Sequence, residues 1–430
     1  MLNWILSLRV DKPSFLVTLD VICVLAVVYL LVRKPVRRWR LSAPIAIVVG
    51  AAAGLIICWW ASDVANVFGV PLTPITRMWV SFGLAAVALA IVNLWQSRWS
   101  RKVVALVCVP LFLVAAAAGI NVDFGAYRNL SDALGVDPYP ALSLAHERGG
   151  SQVQDPNLLA NWAPPAGMPT KGRVGTVTIP GTVSHFDARP AVVYLPPAAL
   201  VAKPPVLPVM VMFSGQPGSP ADIFTAGQMD ATANAFAAAH RGLAPIIVVP
   251  DQIIRPNYNP MCIDSPLGNA ATYVTVDVMN WIRGHFRVSS DKNAWAIGGY
   301  SQGGTCAIQF TAAYPELFGS TLAILSELGP TIGAQTIQKA FGGSPAAYDA
   351  AMPMAIMARK APYSDTVAFF AVGAGDAKYT RFGKTLTAAA ERAGMTTRLI
   401  VSPNSAHDWN TVRYALTIAF PSIAVYLGLK

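Results

Sequence analysis

Four apolar runs crowd the first 120 residues of this 430-residue chain, at roughly 14–32, 43–61, 78–96 and 103–120. Each is close to the ~20 residues a helix needs to cross the hydrocarbon core of a bilayer. The first run is too long for a secretory leader and lacks a small-residue cleavage site, and three more follow it. The runs predict a four-helix transmembrane anchor over residues 1–120. Composition agrees, with 54% of residues hydrophobic and only 13% charged.

The net charge of +10 is unevenly placed. Residues 1–120 carry eleven Lys or Arg against three acidic residues, Asp11, Asp20 and Asp63, whereas residues 121–430 carry twenty-one against nineteen. The basic excess thus lies between apolar runs, where it orients a chain in the membrane. No basic face is left of the kind that tracks a phosphate backbone, which excludes nucleic acid as a partner. Arg33, Lys34, Arg37, Arg38 and Arg40 separate the first two runs, and Arg98, Arg101 and Lys102 the last two. The loop at 62–77 holds Asp63 and a single base, Arg77. The positive-inside bias places the first and third loops in the cytoplasm. Four crossings then put both termini, and everything beyond residue 120, outside. Trp39, Trp59, Trp60, Trp79, Trp95 and Trp99 fall near the run ends, where interfacial anchors sit.

Residues 121–172, rich in Pro, Gly and Asn and without sustained periodicity, read as an extracytoplasmic linker. From 173 the pattern changes. Short β-rich runs stand at 173–179, 190–195, 206–213, 245–249, 294–298, 321–325, 367–372 and 397–401. Helical stretches lie at 227–241, 271–286, 302–314, 380–393 and 409–420. Leading strands followed by strand–helix alternation predict an α/β domain over 173–430, with a mostly parallel central sheet flanked by helices.

The sharpest chemical signal is Gly299-Tyr300-Ser301-Gln302-Gly303, which follows the apolar strand 294–298 and precedes a helical stretch. A nucleophile on a sharp strand-to-helix turn needs small neighbours for the turn to close, and the helix behind it aims its first N–H groups at a developing oxyanion. The α/β-hydrolase order then requires an acid after a later strand and a histidine near the end. Asp376, in Gly373-Ala374-Gly375-Asp376, and His407, in Asn404-Ser405-Ala406-His407-Asp408-Trp409, both follow strand ends. All three would emerge at the carboxyl edge of a parallel sheet, where such folds bind ligands. His407 would take the Ser301 proton, and Asp376 would fix its tautomer. Glu327, which ends the strand after the nucleophile helix, is the alternative acid. Asp408 reads as a helix cap. His146 lies in the linker, and His185, His240 and His285 precede the nucleophile. For the oxyanion hole, the expected donors are Gln302 N–H and Gln216 N–H, since Pro217 has none to offer.

Cys23, Cys58 and Cys108 fall in the apolar runs, leaving Cys262 and Cys306 as an even pair in the outer domain. In an oxidising compartment that pair suggests a disulfide pinning the 261–264 loop beside the nucleophile. No His/Cys cluster has metal-ligand spacing, and no phosphate-binding or dinucleotide fingerprint appears, so neither metal nor cofactor is expected.

The stretch 172–415 resembles the esterase D and mycolyltransferase group of α/β-hydrolases, especially membrane-tethered actinobacterial esterases. The matching pieces are Ile179-Pro180-Gly181-Thr182, Val193-Tyr194-Leu195-Pro196-Pro197, Val248-Val249-Pro250-Asp251, Gly298-Gly299-Tyr300-Ser301-Gln302-Gly303-Gly304 and His407-Asp408-Trp409. The resemblance implies a serine esterase whose triad falls on Ser301 and His407 directly and on Asp376 by position. Ser214-Gly215 stands where many relatives have His-Gly. Mycolyltransferases use a glutamate as the acid and lack the four helices, so transfer of mycolic acids is not implied. The reading is a membrane-anchored hydrolase of a carboxylic ester, with a lipid or lipid-linked substrate suggested by location. An acyltransferase using the same acyl-enzyme and a non-catalytic membrane scaffold are its rivals.

Overall fold

Away from water, a backbone can satisfy its polar groups within one segment only as a helix, and all four apolar runs are helical. The chain, seen here as a computed structural model, is described for residues 2–33, 37–65, 67, 70–95, 97–136, 139–144 and 150–430. Lys34 and His146 lie outside the described residues. Two units separate at residues 1–136 and 137–430.

The first unit is built from α1 (Pro13–Leu31), α2 (Arg37–Trp59), α3 (Pro74–Val92) and α4 (Trp99–Phe124). Each is long and apolar enough to cross a membrane, with α2 continuing into a π turn at Trp60–Val64. Proline opens α1 and α3, where its missing N–H costs nothing, and Thr73 caps α3 by accepting from Thr76 N at 3.0 Å. Gly50 and Gly54, one turn apart on α2, let α3 come close. A Cβ on Gly50 would stand 2.5 Å from Leu84 O, and one on Gly54 2.7 Å from Ser81 Cα. This is small-residue packing of the kind that joins helices where lipid supplies no hydrophobic drive.

The two ends of this bundle differ chemically. At one, the Arg101 guanidinium bonds the carbonyls of Tyr29, Leu30 and Val32 as α1 finishes, and its Nε bonds Asn93 Oδ1. At the other, Asp123 accepts from Thr73 and Thr76, and Arg77 pairs with Asp63 at 2.8 Å. Val10 N donates to Arg128 O at 2.9 Å and Leu130 N to Leu8 O at 3.1 Å, so the segments before α1 and after α4 meet at one end. Trp59, Trp60, Trp95 and Trp99 are exposed on the bundle. Trp39 is buried, donates to Leu31 O and carries Arg33 over its ring, and Trp79 lies against Gly119.

The second unit is a sheet of β1 (Arg173–Val177), β2 (Ala191–Leu195), β3 (Val209–Phe213), β4 (Ile246–Val249), β5 (Trp295–Tyr300), β6 (Ser320–Ile324), β7 (Val367–Gly373) and β8 (Thr396–Ser402). Their spatial order is 1-2-4-3-5-6-7-8, with β2 antiparallel to both its neighbours and every other pairing parallel. Strands β2 to β7 are buried along their whole length, which is why they read as continuous apolar runs; β8, at the edge, alternates. Helices α5 (Met229–Ala239), α6 (Met279–His285), α7 (Gln302–Ala313), α11 (Ala377–Arg392) and α12 (Trp409–Tyr426) accompany the sheet. Three short helices, α8 (Thr336–Ala340), α9 (Pro345–Ala351) and α10 (Pro353–Lys360), are inserted between β6 and β7. Ile356 and Met357 of α10 join the apolar cluster of Ile308, Phe370 and Leu386.

The segment expected as a linker is partly built into this unit. Gly150–Gln152 pairs in parallel with Arg287–Ser289, Leu142 N donates to Thr176 O, and Gln154 Nε2 donates to Leu427 O. A three-residue pairing is too short to display a period.

Candidate active site

The site is assembled from loops at the carboxyl ends of β3, β5, β7 and β8. Ser301 follows β5 at φ 56° and ψ −115°, a conformation costing a side-chain-bearing residue about 1–3 kcal/mol. Surrounding bonds hold it there: Ser301 N donates to Ile324 O at 2.8 Å, and Thr305 N to Ser301 O at 2.9 Å. The flanking glycines are steric necessities. A Cβ on Gly299 would lie 2.4 Å from Gly303 O, and one on Gly303 2.4 Å from Ser214 O. Helix α7 begins at the next residue, so its first N–H groups open beside the Ser301 side chain.

His407 comes from the turn between β8 and α12. Asp408 caps α12 by accepting from Thr411 N at 2.8 Å, and its other oxygen accepts from Ala406 N at 2.6 Å, fixing the backbone on both sides of the histidine. His407 O accepts from Tyr300 OH at 3.3 Å. The imidazole Nε2 stands 2.8 Å from Ser301 Oγ. Burial, and then the positive charge of Lys378, push the His407 pKa down to about 3. The ring is therefore neutral near pH ~7, the state that can accept the serine proton.

The acid expected at Asp376 sits on the neighbouring loop. Gly375 N donates to Ser405 O at 2.8 Å, tying the two loops together, and Asp376 is buried. Its carboxylate, however, caps α11, accepting from Tyr379 N at 2.9 Å. No hydrogen bond reaches the buried His407 Nδ1 among the described residues. Glu327 is engaged as well, by Tyr379 OH at 2.5 Å and Lys378 Nζ at 3.2 Å. Tyr379 bridges the two, with its ring centroid 4.2 Å from that of His407. Burial, and then Glu327, drive the Tyr379 pKa far upward, so its hydroxyl stays a donor. Lys378 and Tyr379 escape the sequence reading because nothing local marks them, although they adjoin Asp376 at the start of an amphipathic helix.

Of the expected oxyanion donors, Gln302 is the first residue of α7 and Gln216 lies in the loop after β3. Among the described residues neither N–H is taken up by a backbone acceptor. Gly215 brings the loop against the nucleophile: a Cβ there would be 3.1 Å from the Tyr300 ring and 3.4 Å from Ser301 Cβ. Cys262 and Cys306 are joined as a disulfide with Cα atoms 5.4 Å apart, linking the 261–264 loop to α7. Among the described residues no three His, Cys, Asp or Glu side chains gather as a metal would require.

The strand order, with a strand-to-helix turn at Ser301, is that of an α/β hydrolase. Residues 187–416 match the Esterase family model, and the chain belongs to that family. It is 33% identical to an uncharacterized protein of Corynebacterium glutamicum over 365 residues, covering 82% of each chain. That alignment is longer than the second unit, so the likeness extends into the apolar helices. Among solved structures, a ferulic acid esterase superposes with a TM-score of 0.52 at 19% identity, covering 60% of this chain and 98% of that one. An S-formylglutathione hydrolase from Agrobacterium tumefaciens gives a TM-score of 0.51 at 18% identity, covering 60% and 97%. At such identities these two share the fold.

Proposed function

We propose that the chain is a membrane-anchored serine esterase that cleaves a carboxylic ester of a lipid or lipid-linked acyl group outside the cytoplasm. The observation that carries this reading is the 2.8 Å contact between His407 Nε2 and Ser301 Oγ on a strained strand-to-helix turn. Ser301 Oγ attacks the acyl carbonyl as its proton passes to His407. The tetrahedral adduct then collapses, the alcohol leaves with that proton, and an acyl-enzyme remains. Water attacks the acyl-enzyme with His407 again as base, releasing the carboxylic acid and restoring the serine. Gln302 N–H and Gln216 N–H receive the oxyanion. Asp376 is the acid of the triad, its loop being bonded to the one that carries His407.

The anchor reading draws on four helices of membrane-crossing length and on charge. Arg33, Arg38 and Arg40 flank the junction of α1 with α2, and Arg98, Arg101 and Lys102 that of α3 with α4, ends that the positive-inside bias keeps in the cytoplasm. A catalytic unit tethered to such helices works where lipid esters are concentrated.

The test is hydrolysis by the purified full chain, with p-nitrophenyl acyl esters and with acylglycerols in vesicles. The reading expects a burst of p-nitrophenol stoichiometric with enzyme, faster turnover of vesicle-borne ester than of its short soluble analogue, and neither in Ser301→Ala. A folded wild-type protein that cleaves no ester contradicts it.

A further inference from the structure

Gln252 lies three residues beyond β4, is fully buried, and touches both elements that carry the proposed oxyanion donors. Its Nε2 donates to Ser214 O at 2.8 Å, where the Gln216 loop begins, and to Gln302 Oε1 at 2.9 Å. The Gln302 side chain is held from its other end too, its Nε2 donating to Asn259 Oδ1 at 3.0 Å. The residue before Gln252 grips the far end of the same loop. Asp251, also fully buried, pairs with Arg189 at 2.8 Å, and Arg189 donates to Gly218 O at 3.0 Å. Adjacent residues thus fix the loop at both Ser214 and Gly218, with Gln216 between them. Gln252 keeps its own Oε1 buried without a partner among the described residues, an arrangement that folding alone disfavours.

We infer that Gln252 is a positioning residue that locks the two halves of the oxyanion hole to each other, with the Arg189–Asp251 pair as its counterpart at Gly218. Donors stabilise a developing oxyanion fully only when they are fixed before the charge appears. One amide that bonds both donor-bearing elements sets their separation. The inference rests on Ser301 being the nucleophile.

The experiment uses the full chain in detergent and compares wild type with Gln252→Met, which keeps the size but loses the donor, and with Arg189→Lys, which keeps the charge but loses the reach to Gly218 O. Ester hydrolysis gives kcat and KM separately. A trifluoromethyl ketone matched to the ester reports the hole directly, because its serine adduct carries an oxyanion. Gln252→Met is expected to lower kcat about 10- to 100-fold and to weaken the ketone in parallel, with KM changed less than about threefold. Arg189→Lys is expected to do the same to a smaller degree, and it decides the matter if Gln252→Met fails to fold. A folded variant with kcat and ketone affinity within about twofold of wild type overturns the inference, as does a change confined to KM. An inactive wild type would instead sink the esterase reading and this inference with it, whereas active wild type beside indifferent variants sinks the inference alone.

Discussion

Ser301 and His407 are the two residues whose chemistry the geometry constrains most tightly, and the histidine makes a pH prediction. A protonated imidazole cannot accept the serine proton, so activity falls only as pH drops through the folded-state pKa. Burial and Lys378 hold that value near 3, well below the ordinary 6.5. The expected kcat/KM is therefore flat from about pH 7 to about pH 5, and Lys378→Met moves the acid limb upward. Stability responds to the same shift in a higher pH window. The unfolded imidazole binds a proton below 6.5 while the folded one binds none until about 3, so the protein loses stability as pH falls through that window. Urea unfolding at several pH values checks this. The acid gives a second prediction. Asp376→Asn is expected to lower kcat about 10²- to 10⁴-fold, and Glu327→Gln far less, in steady-state assays. The pairing of Ser301 with His407 was legible because a strained turn and a fixed chain order leave marks in sequence. The acid was not, because Asp376 and Glu327 both follow strand ends and both are engaged by neighbours of His407. Gln252, and the contacts of Tyr379 with Glu327 and His407, were invisible for another reason: those partners are brought near only by the fold.

At the scale of elements, buried strands announced themselves as apolar runs, and every one of the eight overlaps a predicted segment. What escaped was anything shorter than a period, such as the pairing of Gly150–Gln152 with Arg287–Ser289. The contact between α2 and α3 escaped too, since its cause is the absence of side chains at Gly50 and Gly54. Gly50→Leu should force these helices apart, at about 1–3 kcal/mol, and lower the thermal midpoint in detergent followed by circular dichroism. The disulfide from Cys262 to Cys306 closes a separation of 44 residues. Losing that crosslink should cost about 3–4 kcal/mol, seen as a lower urea midpoint for Cys262→Ser/Cys306→Ser.

For the whole molecule, composition divides the chain into a basic, apolar first third and a nearly neutral α/β remainder. Topology is tested by adding single cysteines at opposite ends of the bundle and labelling intact cells with a membrane-impermeant maleimide. Val67→Cys, in the α2–α3 turn, should react from outside, and Ser100→Cys, at the start of α4, only after permeabilisation. The reverse pattern would place the catalytic unit in the cytoplasm.

The central claim is that Ser301 is a nucleophile activated by His407. Fluorophosphonate labelling of the full chain, comparing wild type with Ser301→Ala and His407→Ala, tests it most directly. The account predicts stoichiometric labelling of wild type, none of Ser301→Ala, and labelling of His407→Ala slowed by on the order of 10³-fold or more. Labelling that persists in Ser301→Ala, or none in a well-folded wild-type protein, would contradict it.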